Sequence, residues 1–569
     1  YQLSFCYFQS QNWEKAIPGF KELASEEDSL GQNSMYLLAT SYLKVNDKNG
    51  AKNAFLICAS KSQNLSQKEI SLFNYGKLCT ELKEYSNAIN ILDKFITTYP
   101  NSIYKEEAKS LWISALAYSN NYIQALEAFE SVLKPSTDLL KLYPSILYGR
   151  ATLYINDGQI EKAYPLLDQI LNTPYNGKML PYAKFWLGEL SYKLGRIDIA
   201  IEMLERFLVD PIEVGEVSQR HAKYTLGYCY LKKANYQKAL DLFSYVSKYN
   251  HSNMIEAYQQ DAYLRLGDCQ MMTKQYKAAL EIYQNAIEWK WISIDYASLQ
   301  KAIIMGGMGK ANEKIKLLRD VVAQFPKSIY LNDAYMELSD AYTNQENFEA
   351  AIEPLSKVLI DHKAISYYPQ AYYKLGIVYF NLNKNEIALQ NFRDLYSAYP
   401  NSIESENSIE FIRNIYMEDQ TPELFVQFMN DYGKPLAIDE QDSLTFKASM
   451  LKYEQKKFTE SAQGFKKYLA LFPMGKNQLE ANNFIAEIEY AQQQFDSAAQ
   501  YFGNVANQAP NKYAERASLL AARLNYFNVK DYALAEKYFR VLASIATQQE
   551  NKNEALKGLL RCEYKNEKW

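Results

Sequence analysis

The chain has 569 residues, which is too long for one conventional hydrophobic core and long enough for several domains or one extended array. Apolar residues make up 48% and charged residues 22%, as in ordinary folded proteins, and the 21 glycines and 16 prolines are too few for the turns of an all-β chain. The net charge of −4 argues against nucleic-acid binding, and no apolar run is long enough for a transmembrane helix.

Residues that commonly bind metals or carry out covalent catalysis are scarce. The chain has three histidines, and its six cysteines form no Cys-x-x-Cys pair. The glycine cluster at 306–309 does not follow a predicted strand, so it indicates a turn or hinge between helices rather than a phosphate-binding loop. We therefore expect no cofactor, no metal and no catalytic constellation, and we expect the cysteines to be buried free thiols.

An internal repeat runs along the chain. In each copy, a residue that is usually aromatic or aliphatic precedes a small residue by three positions, and a large apolar residue follows four positions later. The clear copies are Trp13–Ala16–Phe20, Tyr85–Ala88–Leu92, Tyr122–Ala125–Phe129, Ile160–Ala163–Leu167, Ile197–Ala200–Leu204, Tyr236–Ala239–Phe243, Tyr276–Ala279–Tyr283, Phe348–Ala351–Leu355, Asn385–Ala388–Phe392, Phe495–Ala498–Phe502 and Tyr532–Ala535–Phe539. Weaker copies start at Lys48, Ala311, Pro422 and Phe458. From the first copy to the last there are fourteen intervals, so one unit averages about 37 residues.

Each unit is predicted to form two helices, because apolar residues recur at three- and four-residue spacing. Twelve residues before the alanine there is usually a small residue, which lets two helix backbones approach closely. These small residues are Gly76, Gly188, Gly227, Gly267, Ser339 and Gly376. Eight residues after the large apolar position a proline often ends the second helix, because it cannot donate the next helical hydrogen bond. These prolines are Pro100, Pro326, Pro400, Pro473 and Pro510.

The offsets of small residue, tyrosine, alanine, phenylalanine and proline resemble those of the tetratricopeptide repeat, or TPR. The resemblance covers nearly the whole chain. It implies an all-α fold, a right-handed TPR superhelix (an α-solenoid) of about fifteen helix-turn-helix units. The segment Tyr99-Pro100-Asn101-Ser102 is also similar to the junctions between repeats in TPR proteins of bacterial cell envelopes.

The repeat is irregular around 286–310 and again in the twelfth copy, where Phe425 occupies the alanine position. Gly433 and Pro435 follow and interrupt a helical pattern. These features predict a TPR array of repeats 1–12 over residues 1–429 and a linker or bend over 430–443. A second array over 444–569 would hold repeats 13–15 and the first helix of a further repeat.

The TPR resemblance implies that partners bind on a concave face lined by first helices. Its register gives as candidates Tyr148, Tyr182, Phe185, Trp186, Tyr224, Tyr228, Tyr373 and Phe380. Each of these aromatic residues could instead pack between helices. Trp289 and Trp291 are further candidates, because residues two apart on a helix point in different directions and one of them could be exposed. The Lys–Asn pair with which chaperone-binding TPR domains hold a terminal carboxylate is absent at the corresponding phase, so no such clamp is expected.

We therefore expect a non-enzymatic scaffold that binds proteins or peptides in a bacterial cell-envelope assembly, in the periplasm or at the outer membrane. One alternative is a cytosolic peptide-binding adaptor or regulator, which the unpaired cysteines favour. A second alternative is the interaction region of a larger enzyme whose catalytic domain lies outside these residues.

The ends of the chain also carry an expectation. The first residue is Tyr1 rather than Met, and the repeat register places Trp569 where another second helix would begin. Residues 553–563 should then form a first helix without its partner, with Leu556, Leu559 and Leu560 exposed. We expect further TPR repeats to flank this segment in the full-length chain.

Overall fold

The structure is a computed structural model that describes residues 1–248 and 256–566. Within these ranges the chain is helical, and its only β-type pairing is an isolated bridge between Val214 and Val217. The predicted all-α fold class is confirmed. The chain divides into two compact units, Tyr1–Ile292 and Ser293–Trp569, and each is described by itself below.

The helices of the first unit are α1 (Gln2–Gln9), α2 (Trp13–Glu22), α3 (Ser29–Lys44), α4 (Lys48–Ser60), α5 (Leu65–Glu81), α6 (Tyr85–Thr98), α7 (Lys105–Tyr118), α8 (Tyr122–Glu130), α9 (Thr137–Asn156), α10 (Ile160–Asn172), α11 (Leu180–Lys193), α12 (Ile197–Leu208), α13 (Gln219–Lys232), α14 (Tyr236–Val246), α15 (Ala257–Met272) and α16 (Tyr276–Glu288).

The helices of the second unit are α17 (Ile294–Gly307), α18 (Ala311–Gln324), α19 (Leu331–Thr343), α20 (Phe348–Ile360), α21 (Tyr368–Asn381), α22 (Asn385–Ala398), α23 (Ile403–Glu418), α24 (Pro422–Asp431), α25 (Ile438–Glu454), α26 (Phe458–Leu471), α27 (Gln478–Ala491), α28 (Phe495–Ala506), α29 (Ala514–Leu524), α30 (Tyr532–Ile545) and α31 (Gln549–Lys565). A π-helical turn, Asn525–Val529, extends α29.

Odd-numbered helices are the first helices of repeats, and even-numbered helices are the second. Every even-numbered helix begins at the residue from which the sequence repeat was counted, from Trp13 to Tyr532. Consecutive helices pack against each other within each unit, and short connections make such neighbours antiparallel. Turns within repeats and connections between repeats therefore lie at opposite edges of a unit.

The repeating alanines and glycines set the close approach of the two helices in a repeat. Alanines of the repeat such as Ala163 and Ala351 are completely buried. Gly227 on α13 lies against Phe243 on α14, so that a Cβ atom at residue 227 would be 2.8 Å from the ring. The predicted fit between a small residue on one helix and a large apolar residue on the other is confirmed at this pair.

The irregular repeats are also helical. Lys314, which replaces the alanine of α18, runs past Gly306 and forms an ion pair with Glu337 at 2.6 Å. In the segment 430–443, α24 ends at Asp431 and α25 begins at Ile438, so only residues 432–437 lie between helices. That segment lies inside the second compact unit, whereas the boundary between the units follows Ile292.

The last described helix, α31, packs against α29 and α30. Leu556 and Leu560 are 59% and 68% exposed, as expected, whereas Leu559 is partly buried against the core. Trp569 lies outside the described residues.

Candidate protein-binding surface

Two tyrosines of the first unit meet one carboxylate across neighbouring first helices. Tyr224 and Tyr228 lie one turn apart on α13, and both hydroxyls donate to Oδ2 of Asp261 on α15, the first at 2.8 Å. Burial and the charge of Asp261 raise the pKa of both tyrosines, so both hydroxyls remain protonated donors. This arrangement fixes the two rings in an edge-to-face contact with centroids 5.2 Å apart.

An arginine continues the network along α15. Nε of Arg265 donates to Oδ1 of Asp261 at 3.3 Å, and the same guanidinium pairs with Asp268. The second oxygen of Asp268 accepts a hydrogen bond from Tyr283 on α16. Asp261 and Asp268 are therefore each held by Arg265 on their own helix and by tyrosine hydroxyls on a neighbouring helix.

A third carboxyl group approaches from α11. Glu189 lies on α11, and burial raises its pKa to about 7, although a hydrogen bond from Thr225 works in the opposite direction. Its Oε1 atom is buried without a hydrogen-bond partner among the described residues. Tyr192, one turn further along α11, packs 6.2 Å from Tyr228, and Lys232 lies 4.7 Å above the Tyr192 ring.

We call Glu189, Tyr192, Tyr224, Tyr228 and Asp261 the tyrosine–carboxylate cluster. Burial raises the pKa of Tyr192, with further contributions from Cys229, Glu189 and Asp261. The members of the cluster come from three successive first helices. The cluster offers hydroxyl and carboxylate oxygens beside aromatic rings.

The remaining candidates of the first unit separate into surface and core. Tyr148 on α9 and Tyr182 on α11 are partly buried, with ring centroids 5.0 Å apart. Trp186 is also partly buried, and its indole nitrogen has no hydrogen-bond partner among the residues that the structure describes. Phe185 is only 2% exposed and packs edge-on against Phe207 of α12, so it is a core residue.

Trp289 and Trp291 do not lie on a helix, contrary to the expectation that they point in different directions. The helix α16 ends at Glu288, and Lys290 adopts a left-handed φ of 54°. Both indoles therefore pack on Tyr263, at 5.6 and 5.5 Å, and on each other at 5.2 Å. The pair is one aromatic patch at the end of the first unit.

In the second unit, Tyr373 and Phe380 lie on α21 and are partly buried. Their rings meet Phe411 of α23 at 6.2 and 5.6 Å. Phe411 was not selected from the sequence. These three side chains pack against one another between α21 and α23. Less of the surface of Tyr373 and Phe380 is therefore available to a partner than the sequence pattern predicts.

The sequence pattern predicted Tyr224 and Tyr228 of the cluster but not Glu189, Tyr192 or Asp261. Asp261 carries no motif of its own. One signal was available: Glu189, Tyr228 and Asp268 each follow a repeating glycine of a first helix directly. Because these residues occupy the same position in three successive repeats and all carry side-chain oxygen atoms, they indicate a polar stripe along the first helices.

Two other kinds of feature are absent from the described parts of the chain. No group of three or more histidine, cysteine, aspartate or glutamate side chains there could hold a metal ion. None of the helices between residues 1 and 248 or 256 and 566 combines the length and the apolar character needed to cross a bilayer.

The sequence of the chain is similar to those of a known repeat family. Two sequence profiles of the tetratricopeptide repeat match the chain, one at residues 71–102 and 370–402 and the other at 185–253 and 224–289. A TPR repeat-containing protein of Methanocaldococcus jannaschii is 22% identical over 356 residues, which cover 58% of this chain and 59% of the relative. This chain thus spans less than two thirds of the length of that relative.

Solved structures resemble the chain only loosely. The structure of Naa15/Naa10 bound to HypK-THB is 11% identical, with a TM-score of 0.31 over 99% of this chain and 96% of that one. The structure of YrrB, described as a TPR protein with an unusual peptide-binding site, is 20% identical, with a TM-score of 0.25 over 39% of this chain and 96% of that one. At such scores no function is inferred from these structures.

Proposed function

Since the chain is a tetratricopeptide-repeat protein, we propose that it is an interaction scaffold that binds proteins or peptides through the first helices of its repeats, on the concave face that they would line. Such a scaffold has no catalytic role of its own. Partner recognition is the established use of arrays in which repeated helix pairs present one extended surface.

The observation that supports this proposal is the tyrosine–carboxylate cluster. Tyrosine side chains provide a large contact area together with a hydroxyl group, which suits them to interfaces. Here their positions are fixed by hydrogen bonds to Asp261 rather than by core packing alone. A preformed polar and aromatic surface loses little side-chain entropy when it binds a peptide.

The test is partner capture with matched variants. Tyr182→Ala combined with Tyr228→Ala removes aromatic surface from two first helices, whereas Tyr245→Ala removes a 41% exposed tyrosine from the second helix α14. We expect the wild type and Tyr245→Ala to recover the same proteins from an extract of the source cells, and the double variant to lose them. If no protein is recovered specifically, or if the double variant recovers the same set, the proposal fails.

We further propose that the scaffold belongs to a bacterial cell-envelope assembly, which the junction sequence Tyr99-Pro100-Asn101-Ser102 supports. Fractionation of the source cells tests this location, and recovery only with the cytosol would contradict it.

A cytosolic adaptor is the second candidate, and it is favoured by the state of the cysteines. All six are free, and five are buried as expected, whereas Cys6 is exposed. Burial raises the pKa of the thiols of Cys229 and Cys269 to about 12. Unpaired thiols are usual in a reducing compartment. The same fractionation distinguishes the two candidates.

A further inference from the structure

The twelfth repeat, which is irregular in sequence, contains a cavity. Its second helix, α24, has ten residues, whereas α22 and α26 each have fourteen. All three helices begin at the same position of the repeat, so the part that α24 lacks is its last turn. Gly433, with a φ of 70°, follows the end of this helix. A cavity of about 400 Å³ lies beside the last turns of α24, and we call it the repeat-twelve cavity.

One wall of the cavity is apolar. Phe428 of α24 and Tyr416 of α23 are buried, and Leu424 of α24 is 42% exposed. Tyr432 packs against Phe428 with ring centroids 4.8 Å apart, and Tyr396 of α22 contacts both rings from behind. The wall is therefore held in place by packing, and it can receive an apolar group of a small ligand.

A guanidinium group lies on a second wall. Arg393 of α22 is exposed, and its Nη2 atom donates to the hydroxyl of Tyr416 at 2.5 Å. Burial raises the pKa of Tyr432, and the charge of Arg393 works in the opposite direction, as expected for a guanidinium near this ring. Arg393 forms no ion pair with a described residue. Several of its five N–H donors thus remain for a carboxylate.

A carboxylate completes the lining. Asp431 is the last residue of α24 and is exposed, and it too forms no ion pair within the described part of the chain. Arg393 and Asp431 line the same cavity without pairing with each other. The cavity therefore offers one positive and one negative group beside an apolar wall.

Two further charged side chains lie near the cavity but bind elsewhere. Asp394 of α22 accepts a hydrogen bond from Gln390 at 2.8 Å. Lys434 donates to the hydroxyl of Tyr396 at 3.5 Å. Their charges are opposite and cancel, so they leave the balance of the lining unchanged.

We propose that the repeat-twelve cavity binds a free α-amino acid with a large apolar side chain. Its carboxylate would pair with Arg393, its ammonium group with Asp431, and its side chain would lie against Leu424 and Phe428. A dianion such as phosphate would be repelled by Asp431, and a simple amine by Arg393. A ligand that carries both charges satisfies both walls.

The proposed site is independent of partner binding by the concave face. It belongs to the second compact unit and is built mainly from second helices, whereas the tyrosine–carboxylate cluster lies on first helices of the other unit. Failure of one proposal therefore leaves the other untouched.

The test is isothermal titration of the full chain with L-phenylalanine and L-leucine. We expect at least one of them to bind one site per chain with a Kd below about 1 mM. Three analogues of phenylalanine each lack one charge: phenethylamine lacks the carboxylate, 3-phenylpropionate lacks the ammonium group, and in N-acetyl-L-phenylalanine the amine is an amide. Each should bind about tenfold more weakly or worse, because one charged hydrogen bond is lost.

Variants assign the two charges to the two ends of the ligand. Arg393→Gln should weaken binding of the amino acid about tenfold but leave phenethylamine binding unchanged, because that amine has no carboxylate. Asp431→Asn should weaken the amino acid similarly but leave 3-phenylpropionate unchanged. Arg319→Gln and Asp320→Asn alter the same charges at exposed positions of α18 and are the matched controls. Arg393→Gln also removes the hydrogen bond to buried Tyr416, so circular dichroism checks its fold, and Asp431→Asn decides the outcome if that fold is lost.

The proposal is wrong if neither amino acid binds, or if Asp431→Asn and its control Asp320→Asn bind equally well. Equal affinity for N-acetyl-L-phenylalanine would also overturn it, since the occupant would then be the carboxyl end of a peptide rather than a free amino acid.

Discussion

Glu189 places a carboxyl group in a buried environment that is unfavourable for its charge. A carboxyl group whose Oε1 atom is buried without a partner destabilises the fold whenever it is ionised. Its place in the tyrosine–carboxylate cluster, beside Tyr192, offers a reason for its presence, because buried polar groups that cost stability often serve binding.

The raised pKa of Glu189 gives the first prediction. The folded-state pKa is about 7 against an ordinary value of 4.5, so between these pH values the folded chain retains a proton that the unfolded chain releases. Stability contributed by the protonated group therefore falls as pH rises through this window and is lost above pH 7. We expect Glu189→Gln to be more stable than the wild type at pH 8 by about 1–3 kcal/mol, with a much smaller difference near pH 4.5.

Thermal melts at the two pH values measure this effect. Glu161→Gln, at an exposed position of α10, is the control and should show no such pH-dependent gain. A gain of the same size at both pH values would mean that the glutamine acts through packing rather than through the missing charge.

The second residue-scale prediction concerns the glycine contact. Gly227→Trp must displace the Phe243 ring, because a Cβ atom at residue 227 would already lie 2.8 Å from it, and should destabilise the fold by about 1–3 kcal/mol or more. Gly177→Trp is the matched control, because nothing lies within 4 Å of a Cβ atom there. Urea unfolding that gives the same midpoint for both variants would show that the helices of this repeat are not in close contact.

At the scale of helices and connections, the sequence predicts regular parts well. The starts of most second helices follow from the recurring aromatic or aliphatic residue and the alanine after it, since this spacing places both residues on one helix face. The all-α class follows from the same pattern. The close pair of Gly227 and Phe243 could also be read from spacing, because both positions recur in each repeat.

Connections and polar contacts were less predictable. Trp289 and Trp291 come together because Lys290 adopts a left-handed backbone conformation. A lysine at that position does not predict such a conformation. Asp261 joins Tyr224 and Tyr228 across two helices that are far apart in sequence, and such pairs depend on the packing of repeats rather than on local spacing.

Proteolysis tests the connections. The linker or bend that the sequence predicts over residues 430–443 would be a sensitive segment, but the structure confines its non-helical part to 432–437. The connection 209–218 between α12 and α13 is longer, and residues 213–216 within it are exposed. We therefore expect subtilisin to cut first within 209–218, because a protease needs an extended stretch of accessible backbone.

Mass spectrometry of the first fragments locates this cut. Cleavage first within 432–437 would favour the expectation from sequence, and cleavage first inside a helix would contradict both.

At the scale of the whole molecule, the division into two compact units makes the last prediction. The described part of the first unit contains eight helix pairs, and that of the second contains seven pairs and α31. A repeat array needs about three repeats to bury a stable core, so each unit has enough repeats to fold alone. The boundary follows Ile292, a 99% exposed residue in a connection between helices, where a cut removes no core side chain.

We expect chains 1–292 and 293–569 to be helical and to melt cooperatively when they are produced separately. In the full chain, Gly227→Trp should then lower only the transition that matches the melting of chain 1–292. Circular dichroism and calorimetry measure both effects. Unfolded fragments, or one transition that shifts as a whole in the full-length variant, would show that the two units do not fold independently.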